Sequence, residues 1–205
     1  MKALVFDDYC GLDGMRIDEV ADPVPGANDV LVEVHAAGIN PIDWKFRDGA
    51  ITAVGANVTD LKPGDEVFGT CPPNRWGSHA ELVAVDAGVV AIKPSNVSHV
   101  EAASIALVGH TALTALERTA TIEPGMRVLI HAGAGGVGAF AIQYCRSRGA
   151  TVYATASARN ADYVLGLGAD EAIDYTTTDF AERLSGLDVV YDTVGGDAHI
   201  KSRKV

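Results

Sequence analysis

Arg127-Val-Leu-Ile-His-Ala-Gly-Ala-Gly-Gly-Val-Gly-Ala-Phe-Ala-Ile-Gln143 decides the fold. An apolar run turns through glycines into a helical pattern, so the stretch reads as strand, loop, helix. Gly133, Gly135 and Gly138 fit G-x-G-x-x-G: the first permits a tight turn, the second lets a pyrophosphate approach the backbone, and the third lets helix pack on strand. The pyrophosphate would rest on the helix N-terminus, where unpaired N–H groups and the helix dipole favour anions.

A glycine pattern occurs easily by chance in a chain with 22 glycines, so the flanks carry the argument. Val128 to Ile130 are strand formers, Val137, Phe140, Ala141 and Tyr144 recur at helical spacing, and Thr151 to Thr155 open a second β run after Gly149. Outward from this β-α-β unit the alternation continues. Strand 171–173, helices near 160–167 and 179–185, and strand Asp188 to Thr193 predict the first half of a doubly wound parallel sheet.

Upstream the character differs. Lys2 to Phe6, Arg16 to Val20, Asp29 to Ala37, Ile51 to Gly55, the strand after the turn at Pro63-Gly64, Trp76 to Val85 and Val89 to Ile92 are short β-like runs with turn signals between them, as in a small barrel or sandwich. Gly38 to Gly49 reads as a loop and short helix, with Asn40 as cap, Pro41 at the first helical position and Gly49 as stop. Asn40 and Asp43 are explained equally well as capping residues. Ser98-His-Val-Glu101 matches a capping box that leads into Ala102 to Leu107, and Gly109 to Thr119 reads as a separate helix.

Composition narrows the function classes. Sixteen basic against 27 acidic residues give a net charge of −11, without a basic stripe, which argues against nucleic acid or an anionic membrane as partner. Cys10, Cys71 and Cys145 are too scattered for a disulfide framework or a cysteine zinc lobe. No apolar run reaches about 18 residues and no signal-peptide core opens the chain, so a cytoplasmic location is expected.

With these residues assembled, the chain resembles the medium-chain dehydrogenase/reductase superfamily, and within it the zinc-free quinone oxidoreductase (zeta-crystallin-like) branch. The matching stretches are Ala37 to Lys45, Val54 to Gly69, His110 to Ala115, His131 to Gln143 and Asp188 to Gly196. The resemblance implies an α/β architecture in which an N-terminal GroES-like β-rich catalytic domain (1–97, shortened near 50/51) precedes an incomplete Rossmann doubly wound parallel sheet (98–205). It also implies hydride transfer to a small electrophile, a quinone or activated alkene. Zinc members carry a cysteine ligand where this chain has Asn40 and a Gly-His-Glu motif soon after; neither is present, so no metal is expected. Carbonyl polarisation then falls to hydrogen-bond donors. By carry-over, Asn40 and Asp43 are the catalytic candidates lining the nicotinamide end, Thr111 lies near the nicotinamide half, Tyr175 near the adenosine phosphate, and Gly136, Val137 and Val194 complete the cofactor set with Gly133, Gly135 and Gly138.

The choice of nicotinamide rests on the residues themselves. NAD-binding sheets place an Asp or Glu at the end of the second strand for the ribose 2′-OH. Here that strand ends Ala154-Thr-Ala-Ser-Ala-Arg159, where no acid repels a 2′-phosphate while Ser157 and Arg159 can hydrogen-bond one. NADPH is therefore the expected cofactor. The competing reading has Ser157 capping the next helix and Arg159 solvated.

The sequence departs from the family twice. Between Ala50 and Ile51 a further loop and strand are missing, the piece that would hold the Gly-His-Glu-like segment and a wall of the substrate cleft. After Gly196 the chain lacks two more Rossmann strands, which leaves Val189, Val190 and Tyr191 on a bare edge where self-association is expected. A non-catalytic NADP(H)-binding remnant is therefore the alternative to an active enzyme.

Overall fold

The computed structural model describes residues 1–5, 14–39, 46–71 and 79–205, with 46–50 given through their backbone. The chain forms two compact units, Met1–Leu107 and Val108–Val205.

The strands of the first unit all pair antiparallel. Strands β1 (Lys2–Val5) and β2 (Arg16–Glu19) make a two-stranded ribbon. Strands β3 (Asp29–Ala36), β4 (Phe46–Val54), β5 (Glu66–Thr70), β6 (Leu82–Asp86) and β7 (Val90–Ile92) make a five-stranded sheet in the order β6-β3-β4-β5-β7. The alternation at Val30 and Val32 places both inward, packed with Ile51, Val67, Val83 and Val85, as a half-buried sheet requires. A GroES-like β domain is thus in place.

Two expectations change here. Phe46 to Gly49 were read as the end of a helix, but they are the first half of β4, paired with β3 on one side and β5 on the other. Ladder hydrogen bonds to two neighbours outweigh a local capping signal, and Gly49 sits opposite Val34 and Val67 instead of stopping a helix. The join at 50/51 accordingly lies inside one continuous strand, whose pairing with β3 shifts register between Leu31/Val32 and Val34/Ala36.

Helix α1 (His99–Ala115) runs unbroken where two helices were expected. The capping box forms as read: the Ser98 hydroxyl accepts from the Glu101 amide at 3.2 Å, and the Glu101 carboxylate takes the Ser98 amide at 2.8 Å. Gly109 lies inside the helix because Phe140 occupies the space a side chain would need, 3.1 Å from a built Cβ. One π turn, Leu116–Ala120, ends the segment.

The second unit is the doubly wound sheet. Strands β8 (Arg127–Ile130), β9 (Thr151–Ala156), β10 (Glu171–Asp174) and β11 (Val189–Tyr191) are parallel in the order β10-β9-β8-β11. Helices α2 (Gly136–Ser147), α3 (Ala161–Gly166), α4 (Phe180–Arg183) and α5 (Asp197–Ser202) follow the strands in turn. Both faces of β8 are buried, which explains its unbroken apolar run. Val128 and Ile130 pack with Ala141, Ile142 and Cys145 of α2, while Leu129 faces the other way onto Ile173, Phe180 and Leu184. Burial alone pushes the Cys145 thiol up to about 11, leaving it a core residue without thiolate character. Strand β11 is the sheet edge with Val189, Val190 and Tyr191 half-buried.

Candidate functional site

Strand order reverses at β8: the chain moves outward through β9 and β10, then returns to the other side as β11. Crevices at such a switch point, beyond the carboxyl ends of the strands, are where open α/β sheets bind ligands. The loops after β8, β9, β10 and β11 carry the glycine run, Ser157 with Arg159, Tyr175, and Val194 respectively. One edge of the sheet therefore collects every cofactor candidate of the second unit except Thr111, which is exposed on α1. Asn40 and Asp43 lie outside the described residues.

The glycine loop is built tightly. After β8 the chain turns at Ala132 into the left-handed region, φ 51°. The Ala132 carbonyl accepts from the Gly135 amide at 2.9 Å, and the Gly133 amide donates to the Thr155 carbonyl at 2.9 Å. Gly138 is obligatory for packing, since a built Cβ would lie 2.3 Å from the Ala132 oxygen. At Gly133 a Cβ would stand 2.9 Å from Ala154 Cβ. Gly135 is exposed, with only a 3.3 Å approach to the Ala132 oxygen. The three glycines thus divide differently from the expectation at one point: the turn's left-handed residue is Ala132, Gly133 is required by packing against Ala154 and Ile142, Gly138 seats the helix, and Gly135 leaves the backbone exposed.

The first amides of α2 stand outside its helical ladder. Those of Gly136, Val137 and Gly138 have no acceptor among the described residues, while the Ala139 amide begins the helical ladder by donating to Gly135. Such an array, with the dipole behind it, suits a phosphate group.

At the end of β9, Ser157 is half-buried and makes no side-chain cap bond; its hydroxyl accepts only from the Asn160 amide nitrogen at 3.3 Å. Arg159 is exposed and forms no ion pair among the described residues. Tyr175 is 62% exposed just past β10, and beside it the Asp174 carboxyl is held below its ordinary range by the backbone and hydroxyl of Thr176. Val194, also 62% exposed, donates its amide to Asp192 at 2.8 Å. Burial pushes the Asp192 carboxyl up, but the amides of Gly195 and Val194, with His131 and His199, more than reverse it, leaving it below the usual carboxylate range.

Beneath the loop lies a polar line that the sequence reading passed over. His131 and Thr155 are 2% and 3% exposed, inside an otherwise apolar sheet. Thr155 Oγ1 accepts from the Ala132 amide at 3.2 Å and lies 3.1 Å from His131 Nδ1; His131 Nε2 lies 3.1 Å from Ser202 Oγ, whose hydroxyl donates to the Ala198 carbonyl. With Ser202 already donating, Nε2 carries the proton and Nδ1 accepts from Thr155. Desolvation lowers the His131 pKa, against the pull of Asp192, and so favours the neutral ring. A polar residue at the carboxyl end of each of two buried strands was the available sequence signal.

Comparison with known proteins places the chain. Residues 136–203 match the family described as zinc-binding dehydrogenase, and residues 26–95 match the alcohol dehydrogenase GroES-like domain. An NADPH-dependent alkenal/one oxidoreductase of Arabidopsis thaliana chloroplasts is 37% identical over 223 residues, 95% of this chain and 58% of the relative. The chain thus spans less than two thirds of that relative, and the match is longer than the chain's own 205 residues, so the relative holds residues with no counterpart here. Among solved structures, the quinone oxidoreductase of Coxiella burnetii superposes with a TM-score of 0.90 at 34% identity, covering 98% of this chain and 71% of that one. The Escherichia coli quinone oxidoreductase, complexed with NADPH, gives 0.89 at 30%, covering 100% and 69%. Both halves of the fold, the glycine loop and these likenesses agree: the chain belongs to the medium-chain dehydrogenase/reductase superfamily, in its quinone oxidoreductase branch.

Proposed function

We propose that this chain is an NADPH-dependent oxidoreductase that passes a hydride to a quinone or an activated alkene or carbonyl without a metal. The observation that carries the reading is the end of β9, where, among the described residues, no acid pairs with Ser157 or Arg159 and the leading amides of the neighbouring loop have no acceptor. The residues fit the dinucleotide: Gly136, Val137 and Gly138 offer amides to the pyrophosphate, and Gly135 leaves the approach open. Ser157 and Arg159 take the 2′-phosphate, the latter through a charge-assisted bond. Tyr175 flanks the adenosine phosphate, and Thr111 and Val194 serve the nicotinamide half.

Bound NADPH supplies the hydride. Asn40 and Asp43 are assigned to the nicotinamide end of the catalytic domain (1–97), where they orient the acceptor and the Asn40 side-chain amide donates a hydrogen bond to its oxygen; positioning then provides most of the acceleration. The name of the Arabidopsis relative and the NADPH complex of the E. coli structure support this cofactor and acceptor class. The substrate is a small molecule, with no nucleic acid or membrane partner, and self-association runs through the β11 edge. The compartment assigned is the cytoplasm.

A second reading, a non-catalytic NADP(H)-binding remnant, draws support from the residues that the relative holds and this chain skips. Titration with NADPH and NADH, followed by nicotinamide fluorescence, then turnover with a panel of quinones and enones, separates the two. Selective NADPH binding with oxidation is the expected result. Binding without consumption would leave the remnant, and equal affinity for both nucleotides would sink the assignment of Ser157 and Arg159.

A further inference from the structure

We infer that Thr155 is the positioning residue of the nucleotide site: its hydroxyl clamps the glycine loop in the conformation that aims the α2 amides at the ligand. The inference rests on the cofactor reading above and concerns a residue that would not itself touch the nucleotide.

Three observations converge on Thr155. Its side chain accepts from the Ala132 amide at 3.2 Å, and its main-chain carbonyl takes the next amide, Gly133, at 2.9 Å. Ala132 occupies the left-handed region at φ 51°, which strains a residue with a Cβ and persists only where the surroundings over-determine it. The Ala132 carbonyl in turn fixes Gly135 and is the oxygen against which Gly138 packs. A single hydroxyl thus holds the pivot that sets both the outward face of the loop and the seat of the helix.

The clamp is itself oriented. His131 Nδ1 receives the Thr155 hydroxyl proton, which leaves the oxygen lone pairs toward Ala132, and His131 is held from behind by Ser202 on α5. Removing the hydroxyl therefore deprives Ala132 of its acceptor and His131 of its donor together. Ala132 then relaxes toward negative φ, and ligand binding has to drive it back.

The test is NADPH affinity of the full chain in Thr155→Val, Thr155→Ser and the pair Thr155→Val with Ala132→Gly, together with amide exchange at Ala132 in the free protein. Loss of the clamp exposes the left-handed penalty, so Thr155→Val is expected to weaken NADPH about tenfold. Thr155→Ser keeps the hydroxyl and binds like wild type. Glycine at 132 carries no left-handed penalty, so it restores affinity in the Val background while changing little on its own. Exchange at Ala132 speeds up in Thr155→Val and not in Thr155→Ser. Equal affinity in wild type and Thr155→Val, or equal losses with Val and Ser, overturns the clamp. If Thr155→Val does not fold, a Thr155→Ser protein with wild-type affinity and slow Ala132 exchange supports the clamp, and one with fast exchange overturns it. A wild-type chain that binds no NADPH refutes the cofactor reading, and exchange at Ala132 then decides the clamp separately.

Discussion

Replacing Gly138 by alanine tests how the nucleotide loop is built. A built Cβ would stand 2.3 Å from the Ala132 oxygen and 2.9 Å from both the Ala132 carbonyl carbon and Gly133 Cα. Carbon–oxygen contacts settle near roughly 3.3 Å, so α2 or the loop must yield by about 1 Å. All three clashing atoms are backbone, pinned by bonds from Ala132 and Gly133 to Thr155, and no side chain can swing aside. If α2 retreats, Ala141, Ile142 and Cys145 lose contact with Val128 and Ile130 across the main core. Overpacking of this kind costs about 3 kcal/mol, the upper end for an inserted methyl group. In a unit of this size that lowers Tm by roughly 15 °C. The companion Gly135→Ala meets only the Ala132 oxygen at 3.3 Å and lies on the exposed side, so its Tm holds while NADPH affinity falls about tenfold as the methyl crowds the pyrophosphate. Thermal unfolding by circular dichroism and an NADPH titration read both. A Gly138→Ala protein within about 3 °C of wild type would refute the packing argument. Equal behaviour of the two variants would refute the division of roles between the glycines.

Gly166, in α3, has open space around its Cβ position, so Gly166→Ala should raise stability by about 0.5–1 kcal/mol, measured as the urea midpoint. Arg159→Glu places a carboxylate where the second strand of NAD-binding sheets carries one; NADPH affinity should fall at least about tenfold while NADH is little changed, and a parallel loss for both would remove Arg159 from the 2′-phosphate. His131 titrates below its ordinary 6.5 when folded because burial penalises the charge. The unfolded chain then binds the proton more readily, so this stability is complete above pH 6.5 and declines as pH falls below it. Replacing His131 with Asn should flatten the slope of Tm between pH 6.5 and more acid values; an unchanged slope assigns it to other groups.

The second unit was legible because its signals agree. Val128 to Ile130 form a continuous apolar run since both faces are covered, and the glycine spacing tolerates little substitution, as the 2.3 Å approach at Gly138 makes plain. Strands β8 to β11 and helices α2, α3 and α4 follow the expected order, whereas α5 carried too short a pattern to be read. The N-terminal unit was harder because its strands are placed by partners far along the chain. The segment through Gly49 carried helix-capping residues, yet β4 finds ladder bonds on both sides, and no local window contains that information. Gly109 misled for the opposite reason: it punctuates a sequence pattern, but the helix needs a small residue there to admit Phe140. Thr155 was missed because a β-branched residue at the end of a strand looks like strand propensity, and only the left-handed turn at Ala132 gives its hydroxyl a task.

The residues proposed for nucleotide capture and those proposed for hydride delivery fall in different parts of this chain, and that separation bears on how the two functional readings will divide. Every residue assigned to the pyrophosphate and 2′-phosphate comes from β8 to β10 and the loops that follow them, whose core closes within the second unit through Val128, Ile130, Ile142 and Val152. The acceptor end is assigned to Asn40 and Asp43, which precede in sequence β4, the strand that spans the 50/51 join. Shortening there does not break the five-stranded sheet, because β4 stays paired to β3 on both sides of the join and to β5 up to Ala50. On the proposed assignment, changes in the first unit bear on the hydride acceptor and changes in the second on the dinucleotide. The expected signature is tight, NADPH-selective binding combined with an acceptor range set by the remaining wall, and the sharpest variant is Asn40→Ala, which should lower turnover at least about tenfold with NADPH affinity unchanged. Loss of both together would mean that Asn40 holds the cofactor and that the hydride acceptor is oriented elsewhere.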